Sequence, residues 1–167
     1  VSADAFRYHD ILIKGPRTDR FYPLLMKRGR VTQLELDLEA VAHNLRTTRA
    51  YVRERGGDHV SVIAVIKASG YGTNGPALAR LLQFHGVEIM AVACTEEGVE
   101  LRRHGLVMRI LVLNPEPDTF RTLVKHRLEP ALHRLEHLDE LTRIVQQSAQ
   151  TQPWPVHLKL DTGMHRL

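Results

Sequence analysis

Ala64-Val65-Ile66-Lys67-Ala68-Ser69-Gly70-Tyr71-Gly72 ends an apolar, β-branched run on one lysine and passes straight into a glycine-rich turn. Such a run delivers an amine to the mouth of a fold. Burial disfavours an ammonium, so a lysine here reads as a nucleophilic amine able to form a Schiff base. A lysine that snorkels from a strand end into water satisfies the same pattern, and on Lys67 alone both readings stand. Outward from this point the arrangement repeats. Residues 60–66, 89–93, 109–113, 128–131 and 156–161 are short apolar or β-branched runs, and between most of them lie segments of helical spacing such as Leu135, Leu138, Leu141 and Val145. Alternating strand and helix predicts βαβ units and a parallel sheet. No nucleotide-binding glycine fingerprint accompanies them, so the expected fold is α/β, a (β/α)8 TIM-type barrel rather than an open doubly wound sheet. A complete barrel takes about 250 residues, so a partial one, truncated after about five strands, is expected here.

Composition narrows the function classes. With 167 residues, 43% hydrophobic and 25% charged, the chain has a globular make-up, and no apolar run approaches the ~20 residues of a membrane span. The formal charge of +4 and the ten histidines do not make a nucleic-acid patch, because Lys and Arg are interspersed with Glu and Asp along helical stretches. Neither a nucleic-acid nor a membrane partner is expected, and no metal site. The single cysteine, Cys94, excludes an internal disulfide framework and suits a reducing cytoplasmic compartment. Its place after Ala91-Val92-Ala93 reads as a small buried strand-end residue before it reads as a catalytic thiol.

The last run carries a second signal. Val156, Leu158 and Leu160 share one parity, and His157, Lys159 and Asp161 share the other. In a barrel strand the apolar parity faces the outer helices and the polar one lines the interior, which implies a ligand or an ion-pair network inside. An edge strand with one wet face gives the same alternation.

Gly70, Gly72 and Gly75 free the backbone to turn tightly, and Pro76 suits the first turn of a helix over residues 77–82. Helix starts and glycine-rich turns present unpaired N–H groups that bind phosphate. An amine, the Tyr71 hydroxyl and such a turn together fit pyridoxal phosphate. The stretch A-V-I-K-A-S-G-Y-G resembles the cofactor-lysine motif of alanine racemases, V-V-K-A-N-A-Y-G. Lys159-Leu160-Asp161-Thr162-Gly163-Met164-His165-Arg166-Leu167 is similar to the family signature K-V-D-T-G-M-x-R-L, about ninety residues further on. Glu35-Leu36-Asp37-Leu38 with Ala42-His43-Asn44-Leu45 resembles the family's opening strand and first helix. Ala91-Val92-Ala93 with Glu96-Glu97-Gly98 and Leu101-Arg102 resembles its second barrel strand and following helix. Ser69 stands where the family has asparagine, and Thr73 where it has histidine, which affects the shape of the turn.

The resemblance implies a pyridoxal-phosphate-dependent isomerase that interconverts L- and D-alanine as a cytoplasmic homodimer. By resemblance Lys67 bonds the cofactor and then serves as base for one enantiomer. Tyr71 hydrogen-bonds the cofactor phosphate, the other reading being a tyrosine that caps the turn. Arg166 donates to the cofactor phenolic oxygen or the substrate carboxylate, and Lys159 is the lysine often carbamylated to hold that arginine. Asp161 and Met164 shape the loop, and His157 and His165 are weaker candidates for chemistry. The family's second base and its pyridine-facing arginine belong beyond Leu167, so this chain alone is expected to be inactive.

The first residues resemble something else. Asp10-Ile11-Leu12-Ile13-Lys14-Gly15-Pro16-Arg17 reads as a strand and a break, followed by a short helix over residues 21–27. It is similar to the end of a Mur ligase, where I-L-V-K-G-S-R precedes the last helix. The expected division is residues 1–29, the end of a D-alanyl-D-alanine-adding Mur ligase with its linker, and residues 30–167, the racemase-like part, in a fusion serving peptidoglycan precursor synthesis. A broad-specificity amino-acid racemase, a non-enzymatic pyridoxal-phosphate-binding barrel, and a structural or dimerising module for the ligase remain as alternatives.

Overall fold

The computed structural model describes residues 34–165 and the backbone of two strands before them, at 7–8 and 11–14. The helix expected over 21–27 lies outside the described residues. Strand β1 (Arg7–Tyr8) pairs antiparallel with β2 (Ile11–Lys14), and β2 pairs parallel with β3 (Leu34–Asp37). Asp37 then caps helix α1 (Leu38–Gly56), its Oδ1 accepting the N–H groups of Glu39 and Ala40 at 2.9 and 3.1 Å.

The second sheet contains five strands: β4 (Ile63–Val65), β5 (Ile89–Val92), β6 (Arg109–Val112), β7 (Glu129–Leu132) and β8 (His157–Leu158). All neighbours are parallel, and the spatial order is the order of the sequence. Helices α2 (Gly75–Phe84), α3 (Thr95–Arg103), α4 (Phe120–Lys125) and α5 (Leu135–Gln146) form the crossovers. A doubly wound sheet would reverse its strand order part-way; this one does not, which is the winding of a (β/α)8 barrel arc. Each expected strand is present. The last is shorter than 156–161, because after the Lys159 N–H donates to the Leu132 carbonyl the backbone turns onto the side chain of Asp161.

Strand parity separates two apolar layers. Met90, Val92, Ile110, Val112 and Leu132 pack outward against the helices, where Ala79, Leu82, Leu101, Phe120, Leu123 and Leu141 are buried. Ala91, Leu111 and Ala131, with Ile89 and Leu113, form the inner layer. Gly98 lets α3 approach closely, since a Cβ there would lie 2.8 Å from a Leu128 methyl.

Three helices end in one device. After α2, α3 and α4 come His85-Gly86-Val87, His104-Gly105-Leu106 and His126-Arg127-Leu128. The middle residue of each has positive φ, +73°, +81° and +52° respectively. The N–H of the third residue returns to the carbonyl of Leu82, Leu101 or Leu123, at 2.9, 3.2 and 3.0 Å. This is the Schellman closure, and its apolar third residue is buried each time. An arginine from the preceding helix then caps each end. Arg49 donates to the His85 and Gly86 carbonyls, Arg80 to His104, and Arg102 to His126 and Arg127. Arg102 also donates to Leu106 and Met108 at 2.8 and 2.7 Å. Cations here offset the negative ends of the helix dipoles.

Two outcomes follow for stability. Arg102→Met, which strands several half-buried carbonyls, should lower the unfolding free energy by about 2–3 kcal/mol in urea titration. Arg127→Gly should raise it by up to about 1 kcal/mol, because an L-residue is strained where the other two ends use glycine.

Candidate functional site

The site begins where β4 stops. The Ile66 N–H donates to the Ala91 carbonyl at 2.9 Å, carrying the ladder one step past the strand and burying Ile66. Lys67, half-buried, follows on the same parity as Val65, which pairs with Ala91 of the inner layer. From Ala68 to Gly72 every residue has positive φ: +52°, +51°, +68°, +57° and +81°. This left-handed turn costs each L-residue about 1–2 kcal/mol, so its surroundings must hold it.

They do so at several points. Gly70 N–H donates to Ile66 O, Gly72 N–H to Ala68 O, and Asn74 N–H to Ser69 O, at 2.9, 2.9 and 3.1 Å. The Thr73 hydroxyl donates to the Gly70 carbonyl, so the threonine at the family's histidine position closes the turn. Gly70 and Gly75 are required by close approach: a Cβ on the first would lie 2.9 Å from Leu78 Cδ1, and one on the second 3.1 Å from the Ser69 carbonyl carbon. Buried Asn74 accepts the Ala77 N–H and starts α2, with Pro76 in its first turn as expected. Glu97, on α3, accepts the N–H of Ala68 on Oε1 at 2.6 Å and that of Ala93 on Oε2 at 2.7 Å. Tyr71 is 64% exposed, its ring standing into solvent instead of packing over the turn.

Because the strands are parallel, Lys67, Cys94, Asn114, His133 and Lys159 all lie at their C-terminal ends. Lys159 Nζ donates to Asn114 Oδ1 at 3.0 Å. Burial first, and the Glu96 carboxylate with it, pushes the Cys94 thiol above its ordinary range, which suits a strand-end residue and not a reactive thiolate. Asp161 Oδ1 accepts three N–H groups, from Gly163, Met164 and His165, and these bonds hold its carboxyl below the usual range. Its work is to fold the Asp161-Thr162-Gly163-Met164 turn. His165 stands 3.7 Å from the other Asp161 oxygen, and Met164 is exposed. Arg166 lies outside the described residues.

At the opposite strand ends the polar parity forms an ion network. Glu129, 5% exposed, accepts Arg109 Nε and Nη2 at 2.6 and 2.8 Å and His157 Nε2 at 2.8 Å. His157 thus serves this network and lies away from the lysine rim. A groove of about 500 Å3 at this end is lined by Arg102, Met108, Lys125, Arg127, Glu129 and Trp154, but its Arg102 guanidinium is already committed to four carbonyls.

The sequence reading passed over three contributors. Glu97 was visible only as part of Glu96-Glu97-Gly98, and its two backbone partners come from different βα units. Asn114 follows an apolar strand, and Glu129 sits inside a run counted as apolar; a charged residue at an inward parity was the available signal.

Comparison with known proteins places this geometry. A family profile described as the alanine racemase N-terminal domain matches residues 36–167. Alanine racemase 1 of Caldanaerobacter subterraneus subsp. tengcongensis is 35% identical over 139 residues, 83% of this chain and 34% of that protein. The crystal structure of alanine racemase from D-cycloserine-producing Streptomyces lavendulae superposes with a TM-score of 0.69 at 29% identity, over 78% of this chain and 32% of that one. Alanine racemase of Clostridium difficile 630 gives 0.66 at 30% identity, over 75% and 32%. The chain therefore spans about a third of the length of the curated relatives it matches.

The interior carboxylate sets an acid dependence. Burial alone would raise the Glu129 pKa, but its hydrogen bonds from Arg109 and His157 outweigh this and hold it below its ordinary value of 4.5. A carboxyl lowered on folding adds stability above its unfolded pKa and loses it as pH falls through the folded value. Resistance to urea should therefore fall progressively below about pH 4.5. Glu129→Gln should flatten that limb and cost about 2 kcal/mol at neutral pH, a figure reduced for the half-exposed Arg109.

Proposed function

This chain belongs to the alanine racemase N-terminal-domain family, and from that membership we propose that it is the cofactor-lysine part of a pyridoxal-phosphate-dependent isomerase that interconverts L- and D-alanine. The observation that carries the reading is Lys67, half-buried at a strand end and followed by a clamped left-handed turn. The donor set suits the cofactor. An amine, an exposed phenol and a second amine at the strand ends complement an aldehyde that carries a phosphate and a phenolate.

Lys67 would hold the aldehyde carbon through Nζ. When it is free, that nitrogen would take and return the Cα proton of one enantiomer of alanine. Tyr71 would donate its hydroxyl to the phosphate. Arg166 would donate to the phenolic oxygen or the substrate carboxylate, and Lys159, carbamylated by carbon dioxide with loss of a proton, would become an anion able to hold Arg166. When bound, pyridoxal phosphate supplies the electron sink for the pair left on Cα. The second base would come from outside this chain, in keeping with a homodimer.

The reading extends to the cell. We place the activity in the cytoplasm, feeding D-alanine to peptidoglycan precursor synthesis, with residues 1–29 the end of a D-alanyl-D-alanine-adding Mur ligase fused ahead of residues 30–167. Making D-alanine beside the enzyme that attaches its dipeptide gives that order a biochemical sense. A non-enzymatic cofactor-binding barrel is disfavoured by the turn at Asp161, which such proteins usually lack.

The test uses this chain with pyridoxal phosphate, borohydride reduction and peptide mapping. Lys67 should carry the label selectively, and Lys67→Ala should abolish it while circular dichroism stays unchanged. Label scattered over surface lysines, or none on a folded chain, would overturn the assignment.

A further inference from the structure

We propose that Glu97 is a positioning residue for the cofactor lysine, a role that rests on the reading of Lys67 given above. Its two carboxylate oxygens divide between two backbone N–H groups, Ala68 at 2.6 Å and Ala93 at 2.7 Å, both in the short range of charge-assisted hydrogen bonds. The first belongs to the peptide plane that joins Lys67 to Ala68. Fixing the direction of that N–H fixes the plane, and with it ψ of Lys67 and φ of Ala68, the first residue of the left-handed run. The direction in which the Lys67 side chain leaves the strand end is set by the same plane.

The second bond anchors the carboxylate. Ala93 follows β5, and its carbonyl accepts the Asn114 N–H at 3.0 Å, so Glu97 is tied to backbone that the β5–β6 ladder already holds. Helix α3 thus spans from a rigid neighbouring strand to the strained peptide after Lys67. A carboxylate is the group this demands: two donors face it, and it offers two acceptors. A glutamine at 97 has one acceptor and would turn an NH2 toward the other N–H.

The labelled reaction is a condensation: Lys67 Nζ forms a C=N bond to the cofactor aldehyde carbon, and the aldehyde oxygen leaves as water with two protons from the amine. Borohydride then delivers hydride to that carbon and the nitrogen takes a proton, making the link permanent.

The experiment compares the unsubstituted chain with Glu97→Gln, Glu97→Asp and Arg102→Met. Pyridoxal phosphate affinity is read from the absorbance of the cofactor–lysine bond, labelling at Lys67 from peptide mapping, and folding from circular dichroism and urea titration. Glu97→Gln should weaken the affinity by about tenfold, the worth of one charge-assisted hydrogen bond, with labelling at Lys67 falling in step. Arg102→Met, which loosens the far end of the barrel arc, should lose stability but keep affinity and label. Glu97→Asp retains both acceptors and carries the comparison if the glutamine variant unfolds; its affinity should also fall, because the shorter side chain cannot reach both amides. Affinity and labelling of the Glu97 variants equal to the unsubstituted chain would overturn the proposal while leaving the cofactor reading intact. So would an equal loss in Arg102→Met, since that marks general destabilisation. Absence of Lys67 label in the unsubstituted chain would overturn the cofactor reading itself, and this role with it.

Discussion

Five consecutive residues with positive φ follow Lys67, and the rest of the site is arranged around keeping them there. Left alone, Ala68, Ser69 and Tyr71 would relax to the right-handed or extended regions at a gain of about 1–2 kcal/mol each. Strain of this size persists only when several independent contacts fix the same backbone. Glycines at 70 and 75 permit the approach, Thr73 and Asn74 close the turn from within, and Glu97 grips it from the next βα unit. The lysine is consequently presented by a backbone that cannot drift.

The two ends of the strands are built for different ends. At their N-terminal side, arginines cap successive Schellman closures, and Arg109, Glu129 and His157 form a satisfied ion network. Those contacts consume their donors and acceptors internally. At the C-terminal side stand the half-buried Lys67, exposed Tyr71 and the Lys159–Asn114 pair. The described residues thus divide between an internally satisfied face and a lysine-bearing face, the division a (β/α)8 barrel makes between stability and chemistry.

Much of this was legible in the chain. Strand positions were readable because each is a short apolar run between helical spacings, and the uniform winding followed from their alternation. Lys67 was readable because a cation at the end of such a run is conspicuous. The parity of the last run was readable only in part: His157 does turn inward onto Glu129, but Val156, Leu158 and Leu160, expected to face the outer helices, are exposed, as on an edge strand. Glu97 was not, because its meaning lies in two backbone amides separated from it by 29 and 4 residues, and periodicity describes only side chains. The left-handed turn was hidden for a related reason: Ala68 and Tyr71 have no intrinsic preference for positive φ, and only the tertiary clamps put them there. Repetition of His-Gly-Val, His-Gly-Leu and His-Arg-Leu after the helices was present in the letters, but its arginine partners lie a full βα unit upstream.

The inner layer explains why two charged regions can coexist in one narrow arc. Ile89, Ala91, Leu111, Leu113 and Ala131 share the inward parity with the Arg109–Glu129–His157 network, Leu111 opposite Glu129 and Ala131 opposite His157. Glu129 is held by Arg109 and His157 from the strands on either side of it, so its charge is spent within that network. The lysine rim carries both signs: Lys67 and Lys159 stand there with the Glu97 carboxylate that accepts the Ala68 N–H. Apolar residues interleaved with paired charges thus let the arc bury Glu129 without leaving it unpaired, and that pairing draws on Arg109 and His157 and not on the strand-end lysines.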